Sequence, residues 1–197
     1  FRLLLPPLVS GACTICVLAL LTGGLHLDGL ADTADGFFSG KARDQILVIM
    51  KDSRTGAMGA IAVTAILILK ITALASIAPE SRPRALLFMP IAGRCALAIV
   101  MAYLPAARTD GLAAAIKNEQ GPVRPFLTCG ILFLAGGLLW GMTGVLLSLI
   151  SLAAIAPLSL FMWNKIGGMT GDTLGAVCEV VETIALISAA GIHFHVG

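Results

Sequence analysis

The chain has 197 residues, of which 58% are hydrophobic and only 12% are charged, and its formal net charge is +2. A soluble domain usually has about 25% charged and under about 50% apolar residues, so this composition excludes an ordinary soluble domain and indicates a chain that folds in a lipid bilayer. The small net charge, without basic runs interleaved with aromatic residues, excludes nucleic acid as the expected partner. We therefore predict an all-α, polytopic integral membrane protein.

Six apolar stretches of a length that can cross a bilayer, about 17–25 residues, are separated by polar breaks. In chain order they are Leu3–Leu21, Ala57–Ala78, Ala85–Leu104, Phe126–Met142, Val145–Trp163 and Thr173–Gly191. No linker, low-complexity tract or convincing internal repeat interrupts them, so we predict a single transmembrane catalytic domain over residues 1–197. The chain starts at Phe1 and enters an apolar stretch at once, which we interpret as an incomplete N-terminus.

The first polar block, residues 23–36, reads GGLHLDGLADTADG. On a helix, Asp28, Asp32 and Asp35 would share one face, because their spacing is i, i+4, i+7. Such carboxylates repel one another at low dielectric, so the stripe persists beside a membrane only when cations or protons neutralise it. Oxygen-only ligands favour a hard cation, Mg²⁺ with Mn²⁺ as the alternative. For His26 two interpretations stay open: an acid or phosphate-positioning group, or a helix cap.

The second polar block, MKDSRTGAMG at residues 50–59, precedes the second predicted span. It places Lys51, Ser53 and Arg54 at a helix start, where backbone N–H groups and cations together suit an anionic oxygen cluster such as a pyrophosphate. The alternative is an ordinary juxtamembrane anchor with a capping side chain. Beside the aspartate stripe, the block favours phosphate binding.

Two cations lie in the middle of predicted spans, Lys70 in the second and Arg94 in the third. A charge at that depth is costly and is usually paired. We interpret Arg94 as a candidate phosphate ligand, whereas we expect Lys70 to snorkel towards the interface.

The third polar block, GGMTGDTLG at residues 167–175, is followed by two glutamates at the start of the last span. Asp172, Glu179 and Glu182 have the spacing i, i+7, i+10 and would again share one helix face. We expect the glycines to let this segment pack against the first block, so that its acids complete the coordination shell there.

Lysines and arginines collect on one side of the predicted spans. With six alternating spans, these are Lys41, Arg43, Lys51, Arg54, Arg108, Lys117, Arg124 and Lys165. The positive-inside rule makes this side cytoplasmic. The acids of all three polar blocks fall on the same side, so we expect them to converge at the cytoplasmic face.

The three blocks, extended to GGMTGDTLGAxxE at 167–179 and joined by Gly93-Arg94, closely resemble the cobalamin synthase family of adenosylcobinamide-GDP ribazoletransferases. The resemblance implies the last step of cobalamin biosynthesis on a prokaryotic inner membrane. In that reaction adenosylcobinamide-GDP joins the 5′-hydroxyl side of α-ribazole or of α-ribazole 5′-phosphate. The products are GMP and adenosylcobalamin or its phosphate, and the reaction needs a divalent metal, normally Mg²⁺.

Displacement at a pyrophosphate needs neutralised phosphoryl oxygens and an in-line alcohol. Under the resemblance, the catalytic candidates are His26, Asp52 and Asp172, the metal ligands are Asp28, Asp32, Asp35 and Glu179, and the substrate or phosphate ligands are Lys51, Ser53, Arg54, Arg94, Thr170 and Glu182. Either Asp52 or Asp172 completes the metal shell or takes the alcohol proton. The oligomeric state stays open, a homo-oligomer included.

Two other classes also place acids at a membrane. A CDP-alcohol phosphatidyltransferase has the motif D-G-x-x-A-R, but here Ala31 is followed by Asp32 instead of arginine, and the downstream half of the motif is missing. A divalent-cation transporter also has intramembrane acids, although it would favour mid-bilayer acids in both halves of a repeat. Release of GMP would separate the enzyme from the transporter.

Overall fold

The structure is a computed structural model that describes residues 5–108 and 124–196. Within this part the chain is helical, with α1 (Pro7–Leu21), α2 (Leu25–Phe37), α3 (Arg43–Ile49), α4 (Ala57–Ser76), α5 (Arg82–Tyr103), α6 (Arg124–Trp140), α7 (Met142–Ile166) and α8 (Gly171–Val196). No residue of 5–108 or 124–196 lies in a strand beyond one isolated bridge between two loop residues. The predicted all-α class is confirmed.

The first polar block begins at a sharp turn between α1 and α2. Gly23 and Gly24 have φ angles of 62° and 69°, a region that only glycine adopts without strain. The axis of α2 consequently lies at 90° to that of α1. The aspartate helix therefore turns away from the apolar stretch that leads into it.

The described helices cross a bilayer fewer times than predicted. Four are long and apolar enough to do so: α4, α5, α7 and α8 as far as Ile192. A fifth arises only if α1 and α2 form one bent span, and α6 has 17 residues. The protein is a multi-pass membrane protein, and residues 5–108 and 124–196 contain four or five such spans against about six predicted. Hydropathy along a sequence cannot show that α1 has only 15 residues before it bends; Leu3 and Leu4 of that predicted span lie outside the described residues.

The last helix, α8, lies at the centre and packs against α2, α4, α5 and α7. Glycines bring α2 and α8 into backbone contact: a Cβ atom at Gly29 would lie 2.7 Å from the carbonyl oxygen of Asp172. A Cβ atom at Gly175 would lie 3.2 Å from the backbone of His26. The expectation that the third block packs against the first is confirmed.

The polar connections meet at one end of the bundle. The Nε of Arg43 donates to the carbonyl oxygen of Ile166 at 2.9 Å, and its Nη2 donates to that of Ala107 at 2.7 Å. Lys165 donates to the carbonyl oxygen of Phe37 at 2.9 Å. These contacts join the loops after α2, α5 and α7 on the side that the cation pattern marks, although Lys117 lies outside the described residues.

Candidate active site

Helix α2 carries its three aspartates on one face, as the spacing predicted. Asp28 is exposed and Asp32 and Asp35 are half-buried, whereas the opposite face of the helix is buried. The charges that act on Asp32 are those of Asp28, Asp172 and Asp35, opposed by the cation of Arg108. We call Asp28, Asp32, Asp172 and Arg108 the face cluster. The face cluster joins the first and third polar blocks. Sequence reasoning did not predict that Arg108 lies beside these aspartates.

Asp35 is bound to the start of the next span. Its Oδ2 accepts a hydrogen bond from the backbone N–H of Gly56 at 2.6 Å, and its Oδ1 accepts one from Gly59 at 2.8 Å. A carboxylate at this position satisfies N–H groups that have no partner inside the helix. Asp35 therefore caps α4 from a neighbouring helix, and its predicted part as a metal ligand stays a prediction.

The start of α8 is fixed by two threonines. The backbone N–H of Thr170 donates to Oγ1 of Thr173 at 2.8 Å, and the N–H of Thr173 donates to Oγ1 of Thr170 at 3.2 Å. This reciprocal pattern is that of a capping box. The Thr170 hydroxyl also donates to Oδ2 of Asp172 at 3.3 Å. Thr170, predicted as a substrate ligand, thus holds Asp172 in place beside the face cluster.

The second polar block forms an exposed loop between α3 and α4. Arg54 pairs with both carboxylate oxygens of Asp52: its Nε lies 3.0 Å from Oδ1 and its Nη2 lies 2.7 Å from Oδ2. These side-chain hydrogen bonds from Arg54 lower the pKa of Asp52 to about 2, so Asp52 is a weak base at neutral pH. Its assignment to catalysis stays a prediction. Lys51 and Ser53 are exposed in the same loop.

Four charged side chains from three spans meet inside the bundle. We call Lys70 of α4, Arg94 of α5, and Glu179 and Glu182 of α8 the buried ion cluster. Lys70 Nζ donates to Oε2 of Glu179 and to Oε2 of Glu182, both at 2.6 Å. Arg94 Nη1 donates to Oε1 of Glu182. Two positive and two negative charges balance, which their depth requires, because an isolated charge there is costly.

Lys70 does not snorkel, and that interpretation was wrong. It lies 13 residues after the first residue of α4, about 20 Å along the helix, and only 4% of its surface is exposed. Its two partners follow it by 109 and 112 residues, so local sequence could not show them. The parts of Glu179 as a metal ligand and Glu182 as a substrate ligand stay predictions; in the structure both bind cations of the protein.

A cavity of about 50 Å³ lies over the buried ion cluster, among α1, α2, α4, α5 and α8. His26 and Arg94 line it with Thr22, and most of the remaining wall is apolar. The Arg94 side chain is 42% exposed. Among the residues that the structure describes, only its Nη1 has partners, Glu182 and the Cys178 sulfur at 3.3 Å. The other edge of the guanidinium is therefore available to an anion.

A family model described as cobalamin-5-phosphate synthase matches residues 1–190. The chain belongs to the cobalamin-5-phosphate synthase family. The adenosylcobinamide-GDP ribazoletransferase of Acetivibrio thermocellus is 40% identical over 184 residues, covering 92% of this chain and 74% of that protein. The protein of the same name from Desulforamulus reducens is 42% identical over 178 residues, covering 89% and 69%. The one from Pseudomonas fluorescens is 38% identical over 186 residues, covering 94% and 76%.

No solved structure matches the chain. Membership of the cobalamin-5-phosphate synthase family confirms the resemblance carried by the three polar blocks, all of which lie within the matched residues. It also removes the two alternative classes, the CDP-alcohol phosphatidyltransferase and the cation transporter, because the curated relatives are named as ribazoletransferases.

Proposed function

We propose that this chain is an adenosylcobinamide-GDP ribazoletransferase that completes cobalamin at the cytoplasmic face of a prokaryotic inner membrane. The observation that supports this most directly is the face cluster. It brings Asp28 and Asp32 of α2 together with Asp172 of α8 at the end of the bundle where the cationic loops meet. These three acids lie within two of the motifs that carry the family resemblance.

In the proposed reaction a ribose hydroxyl attacks the phosphorus that bears the cobinamide. The bond from that phosphorus to the GMP oxygen breaks, and the hydroxyl loses its proton to a base. The resemblance implied the 5′-hydroxyl, but in α-ribazole 5′-phosphate that oxygen is already esterified. The family description, cobalamin-5-phosphate synthase, suits a product that keeps its 5′-phosphate. The nucleophile that both acceptors share is therefore another ribose hydroxyl.

The donor set of the face cluster fits Mg²⁺, with Mn²⁺ as the alternative. Asp28 and Asp32 offer carboxylate oxygens, which are the ligands of hard cations. Asp172, beside them, would either complete the metal shell or accept the hydroxyl proton. In residues 5–108 and 124–196, no three histidine, cysteine or acidic side chains already converge on one point, so binding requires aspartate side chains to rotate. When bound there, the ion would neutralise charge on the phosphoryl oxygens.

The protein's own cations and acids supply the remaining functions in this proposal. Arg94, with one guanidinium edge open to the cavity, and Arg54 in the exposed loop would hold the oxygens of the pyrophosphate, as arginine does at phosphate sites. Asp172 would accept the hydroxyl proton in preference to Asp52, because both oxygens of Asp52 accept hydrogen bonds from Arg54. His26, which lines the cavity, is the alternative proton acceptor.

The test is GMP release in proteoliposomes that contain the chain, adenosylcobinamide-GDP and either α-ribazole or its 5′-phosphate. We expect release with Mg²⁺, its loss in EDTA, and recovery when Mg²⁺ or Mn²⁺ is added in excess. Release that continues unchanged in EDTA would refute the metal part of the proposal. No release from correctly inserted protein would refute the transferase reaction itself.

A further inference from the structure

Lys70 belongs to the buried ion cluster but has no part in the proposed reaction. Its Nζ lies 2.6 Å from Oε2 of Glu182, while Arg94 Nη1 binds Oε1 of the same carboxylate. The two cations thus divide Glu182 between them, one oxygen each. The side chain of Glu182 is 5% exposed, so water cannot readily replace either partner.

Arginine prefers to bind a carboxylate with two nitrogens on two oxygens. Arg54 and Asp52 show this arrangement in the exposed loop of the same protein. In the buried ion cluster Lys70 binds the second oxygen of Glu182 and competes there with a second nitrogen of Arg94. Arg94 binds this carboxylate through one nitrogen only.

The second edge of the Arg94 guanidinium, which does not bind Glu182, borders the cavity. Arg94 borders the cavity that His26 also lines, and its Nε and Nη2 have no acceptor among the described residues. Two parallel N–H groups directed away from an occupied carboxylate are suited to a phosphate oxygen pair. If Arg94 rotated to bind both oxygens of Glu182, this edge would be lost.

We propose that Lys70 is a positioning residue: by holding Oε2 of Glu182, it keeps Arg94 bound through one nitrogen and leaves the other guanidinium edge for a nucleoside diphosphate phosphate group. The identity of the anion rests on the proposed function, whereas the division of Glu182 rests on the geometry alone. The competing view is that Lys70 serves only to balance charge. The two views differ in what happens when charge balance is restored without Lys70.

The experiment measures GDP binding to the full chain in lipid nanodiscs by calorimetry, in EDTA so that no metal contributes. Lys70→Met leaves an excess negative charge in the cluster, and we expect a Tm lower by about 10 °C. The double variant Lys70→Met/Glu179→Gln removes one charge of each sign, and we expect most of the Tm to return. Both variants should bind GDP at least about tenfold more weakly than the wild type, since a charged hydrogen bond is lost.

A matched control separates affinity from stability. Leu186 is 1% exposed on the same helix as Glu182 and carries no charge. Leu186→Ala leaves a cavity and should lower the Tm by a similar amount. We expect its GDP affinity, per folded molecule, to equal that of the wild type.

GDP affinity that returns together with the Tm in the double variant would overturn the proposal and leave Lys70 as a charge partner. Absence of GDP binding by the wild type would overturn it too, because the free edge of Arg94 would then hold no diphosphate. Failure of the wild type to release GMP from adenosylcobinamide-GDP, with GDP binding and the Lys70 effect intact, would instead refute the transferase reaction alone.

Discussion

The face cluster and the buried ion cluster treat charge in opposite ways. In the face cluster three carboxylates face one cation, Arg108, and Asp28 is exposed. In the buried ion cluster two carboxylates meet two cations, and three of the four side chains are less than 10% exposed. Excess charge is tolerated only where water or a bound cation can compensate it. The difference indicates that the face cluster needs a compensating cation, whereas the charges of the buried ion cluster already balance.

Substitutions in the two clusters should therefore affect activity and stability differently. Substitutions in the face cluster should remove activity and leave stability unchanged, since the carboxylates there repel one another in the absence of a cation. Substitutions that unbalance the buried ion cluster should lower stability, because they leave a charge in the bundle without its partner. The following experiments test this separation.

The largest effect is expected for Asp32→Ala. Because Asp32 is central to the face cluster, GMP release should fall by about 10³-fold, while the Tm and membrane insertion stay at wild-type values. Asp44→Asn is the matched control: it also removes one acid near the same end, but Asp44 is 92% exposed and, among the described residues, pairs with Arg43. Near-normal turnover by Asp32→Ala would contradict the role given to the face cluster.

Glu182→Gln should lower the stability that Asp32→Ala leaves unchanged. It leaves Lys70 and Arg94 with one carboxylate between them, a change that destabilises buried pairs by about 3–5 kcal/mol. We expect a Tm lower by about 10 °C, measured by thermal unfolding in detergent, against no loss for Asp32→Ala. Equal Tm values for the two variants would contradict the claim that the buried ion cluster, and not the face cluster, contributes to stability.

Gly59→Ala tests the contact between α4, which carries Lys70, and α2, which carries Asp32. A Cβ atom at Gly59 would lie 2.5 Å from Oδ2 of Asp35 and 2.9 Å from the carbonyl oxygen of Ala31. Overpacking of this kind costs about 1–3 kcal/mol, and a displaced α2 should reduce GMP release about tenfold through misplacement of Asp32. Gly130→Ala, where a Cβ atom meets nothing within 4 Å, should keep full activity; equal loss in both variants would contradict the contact.

The smallest effect is expected for Asp52→Asn. The hydrogen bonds from Arg54 lower the pKa of Asp52 from 3.8 to about 2, so the stability of the pair is present above pH 3.8 and is lost only as the pH falls towards 2. The pH–rate profile between about pH 5 and 9 should keep its shape, and the rate should change less than about fivefold. Loss of one limb of the pH–rate profile in this variant would indicate that Asp52 is the general base.

The sequence was sufficient wherever the deciding interactions are local. The spacing of Asp28, Asp32 and Asp35 predicts one helix face because the α-helical period is fixed, and the structure has that face. The glycines at 29 and 175 indicated a close crossing without naming the partner atoms. The cap that Asp35 makes on α4 was missed, since a carboxylate 21 residues before Gly56 can be placed there only by the tertiary fold.

The existence of anionic partners for Lys70 could have been predicted by counting the charges within the predicted spans. Lys70 and Arg94 lie mid-span, and Glu179 and Glu182 lie inside the last predicted span, which makes two charges of each sign within predicted spans. Because buried charges are usually paired, that balance indicates a common cluster. It does not say which cation binds which oxygen, and that detail decides whether Arg94 keeps a free edge.

The buried ion cluster also imposes an order on biosynthesis. Lys70 precedes Glu179 by 109 residues and Arg94 precedes Glu182 by 88. At about 5–20 residues per second, roughly 5–20 s pass between synthesis of the lysine and of the glutamate that neutralises it. During that interval the two early cations lie in emerging segments whose anionic partners do not yet exist. Each unpaired cation adds about 2.5–3.5 kcal/mol to the cost of inserting α4 or α5, and this cost falls when α8 arrives with its glutamates.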